Sequence, residues 1–218
     1  MTDWSRMVRN SLSLYLVTDE KENLLERTEA ALRGGVTCVQ LRAKTAGSRR
    51  FLEEARAMKA LCNRYGIPFV VNDRADIARL SGADMLHIGQ SDLPLPEARR
   101  ITGPDMPIGV SAKTVEEAQR AEAEGAAYLG VGSVFPTASK PDAERVAPET
   151  VRSIRHAASL PIVLIGGINE NNLSEAEPLI SDGIAVVSGI LSAPNPQQTA
   201  ASLRSRVDRL VRLSSQLR

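Results

Sequence analysis

Gln40, Arg42 and Lys44 alternate through the run Gln40-Leu41-Arg42-Ala43-Lys44. In an extended chain that spacing puts a carboxamide and two cations on one face, with Val39 and Leu41 on the other. Two positive charges in register with an amide suit an anion, the bland competitor being a solvated rim. Asn72-Asp73-Arg74 and His87-Ile88-Gly89-Gln90-Ser91-Asp92 each grow out of a short apolar run. Carboxylates at Asp73 and Asp92, with carboxamides beside them and no His/Cys ligand cluster, suit a hard, oxygen-seeking ion such as Mg²⁺, which keeps water and substrate phosphate in its shell. Helix capping is the alternative explanation of both aspartates. Ser111, in Gly109-Val110-Ser111-Ala112-Lys113, offers a small hydroxyl but also reads as a helix-start signal ahead of Thr114. Thr137, Ser139 and Lys140 supply hydroxyl donors and an ammonium within the long connection Gly132 to Val146, the composition of a phosphate clamp or of a solvated loop. Gly166-Gly167 and Val187-Ser188-Gly189 permit close backbone approach to a phosphate. His87 lies inside a strand, where a lone histidine is usually a satisfied core residue, and no role is assigned to it.

These residues need a scaffold that brings them to one place. Short apolar runs at Leu12–Val17, Val36–Leu41, Pro68–Asn72, Met85–Ile88, Pro107–Val110, Tyr128–Val131, Pro161–Ile165 and Ile184–Val187 alternate with stretches of helical periodicity. The predicted helices cover Lys21–Arg33, Ser48–Tyr65, Asp73–Leu80, Leu95–Ile101, Thr114–Glu124, Pro148–Ala157, Asn169–Ser181 and Asn195–Leu213. Glycine-bearing helix ends precede five strands, as in Tyr65-Gly66 and Ser81-Gly82. Eight units in 218 residues, about 27 each, favour a closed (β/α)8 TIM barrel, an α/β fold, over a doubly wound open sheet, which periodicity alone does not exclude. No GxGxxG follows the first strand. The expectation is one domain over 1–218, with 1–10 as an N-terminal extension. All the polar residues above then fall at the C-terminal ends of strands, the catalytic face of such a barrel.

Composition narrows the function further. Lys+Arg number 27 against 26 Asp+Glu, a net charge of +1, so no global field draws the chain to nucleic acid or an anionic membrane. Aromatics are only 3%, too few for base-stacking platforms. The two cysteines make no disulfide framework, and no run has the length of a signal or a membrane span, so a cytoplasmic protein is expected. Only five residues are lysine, yet Lys44, Lys113 and Lys140 all map to the catalytic end. The map thus contains two anion sites, one metal-assisted near strands two to four and one backbone-lined at strands seven and eight.

From Tyr15-Leu16-Val17-Thr18-Asp19 to Val186-Val187-Ser188, the sequence resembles the thiamin phosphate synthase family. The markers are Gln40 to Lys44, Asn72-Asp73-Arg74, His87 to Asp92, Gly130-Val131-Gly132 through Pro136-Thr137 to Lys140, and Ile165-Gly166-Gly167-Ile168, in the family's order. The resemblance implies a transferase of thiamine biosynthesis that joins hydroxymethylpyrimidine diphosphate to hydroxyethylthiazole phosphate, or its carboxylate form. The products would be thiamin phosphate and pyrophosphate, and Mg²⁺ would be the cofactor. It further implies that Gln40, Arg42, Lys44, Asn72, Ser111 and Lys140 contact the pyrimidine diphosphate and that Asp73 and Asp92 hold Mg²⁺. Thr137, Ser139, Gly167, Val187 and Ser188 would bind the thiazole phosphate. By the same resemblance Arg42, Lys44 and Lys140 would carry the catalytic role of neutralising the leaving pyrophosphate, and the carbon–oxygen bond would break before the carbon–nitrogen bond forms.

Two positions depart from the family pattern. Ser139 stands where threonine is commoner and keeps the hydroxyl, whereas Lys113 stands where histidine is common. The implied partners are small molecules, with neither nucleic acid nor membrane, and a homo-oligomer stays open. The rival readings are the sister thiazole tautomerase, which needs no diphosphate grip, and a non-catalytic thiazole phosphate sensor.

Overall fold

The computed structural model describes residues 4–20, 22–137, 144–179 and 182–216. The eight apolar runs form parallel strands β1 (Leu14–Val17), β2 (Cys38–Leu41), β3 (Phe69–Asn72), β4 (Met85–Ile88), β5 (Ile108–Ala112), β6 (Tyr128–Val131), β7 (Ile162–Ile165) and β8 (Gly183–Val186). Neighbours in sequence pair with each other, and β8 returns to β1 through Leu14↔Ile184, Tyr15↔Ala185 and Leu16↔Val186. The sheet is therefore a closed barrel, and the open-sheet alternative falls.

Helices α1 (Trp4–Ser11), α2 (Leu24–Arg33), α3 (Ser48–Tyr65), α4 (Ala75–Ser81), α5 (Leu95–Thr102), α6 (Val115–Ala123), α7 (Pro148–Ala157), α8 (Leu173–Ala176), α9 (Ser188–Leu191) and α10 (Pro196–Gln216) accompany the strands. Local chemistry sets their ends. Thr114 accepts a hydrogen bond from the Glu117 amide in front of α6, an N-cap. Gly66 takes the left-handed conformation behind α3, at φ 64°, and its N–H reaches back to the Asn63 carbonyl.

Alternation along the strands divides the apolar residues into two cores. Outward residues such as Val39, Leu41, Phe69, Val71 and Leu86 pack beneath the helices. Inward residues Tyr15, Cys38, Val70, Met85, Tyr128, Val163 and Ala185 fill the barrel. Residues 4–11, read from the sequence as part of an extension, form α1, whose Val8, together with Leu12 just beyond it, joins that inner cluster and stops the N-terminal end of the barrel. Two features hold α1 there. Gly183 has no side chain where a Cβ would collide with the Leu12 carbonyl, and Arg9 pairs with the buried Asp182 at 2.8 Å.

The stretch that follows β7 departs most from expectation. The helix expected over Asn169–Ser181 shrinks to α8 and a 3-10 turn over Glu177–Leu179. Asn169 and Asn172 both donate side-chain hydrogen bonds to the Gly167 carbonyl, and Asn172 also accepts from the Asn169 amide. That closes a turn where a helix was expected, and Pro178 cannot continue one. The short α9 was not foreseen at all. Among the described residues no helix is long and apolar enough to cross a membrane.

Candidate active site

The polar strand ends converge on two cavities at the C-terminal mouth. The larger, about 360 Å³, is lined by Gln40, Arg42, Lys44, Asn72, Asp73, Asp92 and Ser111, among others. The smaller, about 290 Å³, is lined by Gly167, Val187 and Ser188 beside β7 and β8. Thr137, Gly166, Ala185 and Val187 border both, so the two spaces share a wall. Ser139 and Lys140 lie outside the described residues.

The backbone around the cationic residues is fixed by the loop that follows β1. The Thr18 amide donates to the Gln40 carbonyl at 2.8 Å, and the Arg42 amide donates to Thr18 Oγ1 at 3.1 Å. Glu20 then fastens the next loop by accepting from the Thr45 amide and hydroxyl. Together these contacts carry the alternation of β2 past its last residue, so that Arg42 and Lys44 still face inward.

The carboxylates are set by strain and by turns, and neither caps a helix. Asp73 sits at φ 65°, a left-handed conformation that costs a non-glycine residue of order 1–2 kcal/mol. Its amide donates to the His87 carbonyl at 2.8 Å, and Lys44 Nζ donates to its Oδ2 at 2.5 Å. The residue flanking α4 is Arg74, which turns away to pair with Asp76 at 2.6 Å. Asp92 accepts from the Gly89 amide at 2.7 Å, closing its own loop, while Pro94 precedes α5. Burial, with the Asp73 carboxyl beside it, pushes the Asp92 pKa above the ordinary carboxylate range. Two carboxyls set side by side form a donor set that suits a hard divalent cation. Among the described residues no three His, Cys, Asp or Glu side chains gather as a metal cage, so such an ion would draw its other ligands from water and phosphate.

Ser111 is a strand residue and not a helix cap, since Thr114 fills that place. Its Oγ lies 3.0 Å from Nε2 of His87, whose Nδ1 lies 3.1 Å from the Tyr128 hydroxyl. Tyr128 and Tyr15 hydroxyls are 2.9 Å apart, and Gln40 Nε2 donates to Tyr15 at 2.7 Å. Sequence reasoning left His87 without a role and missed both tyrosines. The available signal was their inward register in a barrel otherwise filled mostly by aliphatic side chains, with Gly109 and Gly130 making room for the Tyr128 and His87 rings. Burial lowers the His87 pKa to about 4, so the imidazole is neutral.

Lys113 also lines the larger cavity; its Nζ lies 3.3 Å from Glu144, and its amide donates to Glu117. On the other side, Gly166 and Gly167 have φ of 102° and 68°. A Cβ on Gly166 would collide with Ser133, and one on Gly167 with the Pro136 carbonyl. The glycines are thus required first by the β6 loop that packs over them, and the smaller cavity forms along that seam.

The thiamine monophosphate synthase family profile matches residues 14–190. A thiamine-phosphate synthase from Clostridium tetani is 46% identical over 195 residues, covering 88% of this chain and 93% of that protein. One from Clostridium acetobutylicum is 48% identical over 184 residues, covering 83% and 87%. Among solved structures, thiamine phosphate pyrophosphorylase from Pyrococcus furiosus superposes with a TM-score of 0.86 at 38% identity, over 94% of this chain and 99% of that one. A match that spans every strand from β1 to β8, at this identity and with this backbone, establishes that the chain belongs to the thiamine monophosphate synthase family.

Proposed function

We propose that the chain is a thiamine-phosphate synthase that joins an aminopyrimidine methyl diphosphate to a thiazole phosphate with loss of pyrophosphate. The observation that carries this reading is the pair of cavities with a shared wall. A condensation of two phosphorylated molecules needs two anion sites close enough to align the reacting atoms, and alignment alone is worth several kcal/mol. In this reading the diphosphate lies against Arg42 and Lys44 in the larger cavity, with the pyrimidine among Gln40, Asn72 and Ser111. The thiazole phosphate lies against Gly167, Val187 and Ser188, with Thr137 in the wall between.

The carbon–oxygen bond to the diphosphate breaks and its electron pair leaves with pyrophosphate. The thiazole nitrogen then donates its lone pair to the pyrimidine methylene. Arg42 and Lys44 neutralise charge that grows on the leaving oxygens, and the family resemblance adds Lys140 to them. Asp73 and Asp92 would hold Mg²⁺, which when bound contributes further charge neutralisation at the diphosphate. Lys44 is then shared between Asp73 and substrate, so it orients the carboxylate before the diphosphate arrives.

The decisive assay follows pyrophosphate release from hydroxymethylpyrimidine diphosphate, with and without thiazole phosphate, in Mg²⁺ and in EDTA. Release that needs both thiazole phosphate and Mg²⁺ is expected. Folded protein that releases none under any condition would overturn the proposal in favour of a tautomerase or a binding protein.

A further inference from the structure

Four hydrogen bonds link Gln40, Tyr15, Tyr128, His87 and Ser111 into one line across the cavity floor, and all five residues line the larger cavity. Gln40 and Ser111, its two ends, stand on β2 and β5, three strands apart in the closed sheet. The middle of the line is packed rigidly. Tyr15 and Tyr128 are fully buried, and Gly109 has no side chain where a Cβ would collide with the Tyr128 ring. A Cβ at Gly130 would press on His87 at 3.0 Å. Gln90 donates to the Ser111 carbonyl at 2.6 Å and accepts from Arg120 at 2.6 Å, which fixes the backbone at the far end.

Such a line can run in either of two opposite senses, and the Gln40 carboxamide, whose nitrogen faces Tyr15, selects between them. The Gln40 amide nitrogen can only donate, so the Tyr15 oxygen accepts there and turns its single proton towards Tyr128. Tyr128 in turn donates to the most basic acceptor in the line, Nδ1 of His87. The imidazole proton must then sit on Nε2 and point at the Ser111 oxygen, leaving the serine proton to face the cavity. At the other end, the Gln40 carbonyl oxygen is left as an acceptor.

We infer that Tyr15, Tyr128 and His87 are positioning residues whose hydrogen-bond line presets Gln40 as an acceptor and Ser111 as a donor, selecting a heterocycle that carries an amino donor and a ring-nitrogen acceptor. The inference rests on the proposal that the larger cavity takes the pyrimidine. It goes beyond that proposal in assigning specificity to side chains that do not themselves complete the diphosphate grip. An oxo group in place of the amino group would meet the Gln40 oxygen with a second acceptor, and buried polar groups left unpaired are costly.

The chain has only two histidines, His87 and His156, so ¹⁵N NMR of the whole protein reads the His87 tautomer without substrate. The expected result is the Nε2–H form at neutral pH in the wild type and loss of that strong bias in Tyr128→Phe, which keeps the ring and removes the hydroxyl. In parallel, Tyr128→Phe should lower the preference for hydroxymethylpyrimidine diphosphate over its 4-oxo analogue by roughly tenfold. Inhibition by inorganic pyrophosphate, which uses only the diphosphate grip, should stay unchanged. An Nδ1–H form in the wild type overturns the inference, as does a folded Tyr128→Phe with unaltered tautomer and unaltered preference. Should Tyr128→Phe not fold, Tyr15→Phe serves instead, because it frees Gln40 while leaving Tyr128 to hold His87. Loss of substrate preference with the tautomer retained is then expected, and unaltered preference overturns the inference. Because the tautomer is read in the ligand-free protein, its failure is distinct from failure of the pyrophosphate-release assay.

Discussion

Asp73 concentrates much of the chemistry in one backbone choice. Its left-handed φ turns the carboxylate towards Lys44 and Asp92 and away from the start of α4, where an ordinary capping aspartate would sit. Asp73→Asn keeps the shape and the tolerance for that conformation but removes the charge. Turnover at limiting Mg²⁺ should fall at least tenfold, about 1.4 kcal/mol of transition-state stabilisation, in a steady-state Mg²⁺ titration. His87 supports a second expectation at this scale. Its pKa is depressed to about 4 in the fold, below the ordinary ~6.5, so the unfolded chain binds the proton that the folded chain refuses. The stability tied to its neutral form is complete above about pH 6.5 and is lost as the pH falls to about 4, a change of order 3 kcal/mol. Denaturant midpoints across that range should fall more steeply for the wild type than for His87→Gln. The residue types at Gln40, Arg42, Lys44, Asp73 and Asp92 were legible in the sequence because alternation and strand-end position are local properties. His87 was not, since its partners Tyr128 and Ser111 lie 41 and 24 residues away.

Strands were easier to place than the connections between them. β4 and β6 coincide with their predicted runs, and β1 differs because Leu12 completes the stopper formed with α1 instead of beginning a strand. The seventh unit misled the periodicity, since side-chain hydrogen bonds from Asn169 and Asn172 replace the first helical turn, a competition that composition does not resolve, whereas α10 lies where the eighth helix was expected. Within β5 and β6 the inner face is matched ring to glycine: Gly109 stands opposite Tyr128 and Gly130 beside His87. Gly109→Ala would force the Tyr128 ring aside. We expect a loss of about 1–3 kcal/mol in chemical denaturation, the usual range for overpacking a filled interior.

At the scale of the whole molecule, eight even units pointed to a barrel, but whether β8 meets β1 is a long-range fact that no local pattern encodes, and only the pairing of Leu14 to Leu16 with Ile184 to Val186 decides it. The near-zero net charge leaves anion attraction to local groups, and Arg42, Lys44 and Lys113 all line one cavity. α1 adds a constraint of another kind. With Val8 and Leu12 corked into the inner cluster and Arg9 tied to Asp182, the barrel is a vessel with a single neck. Whatever settles deepest, against Tyr15, Gln40 and His87, has to enter and depart through the C-terminal mouth. That mouth is therefore the common way in and out, a constraint imposed by a helix that never touches the reacting atoms.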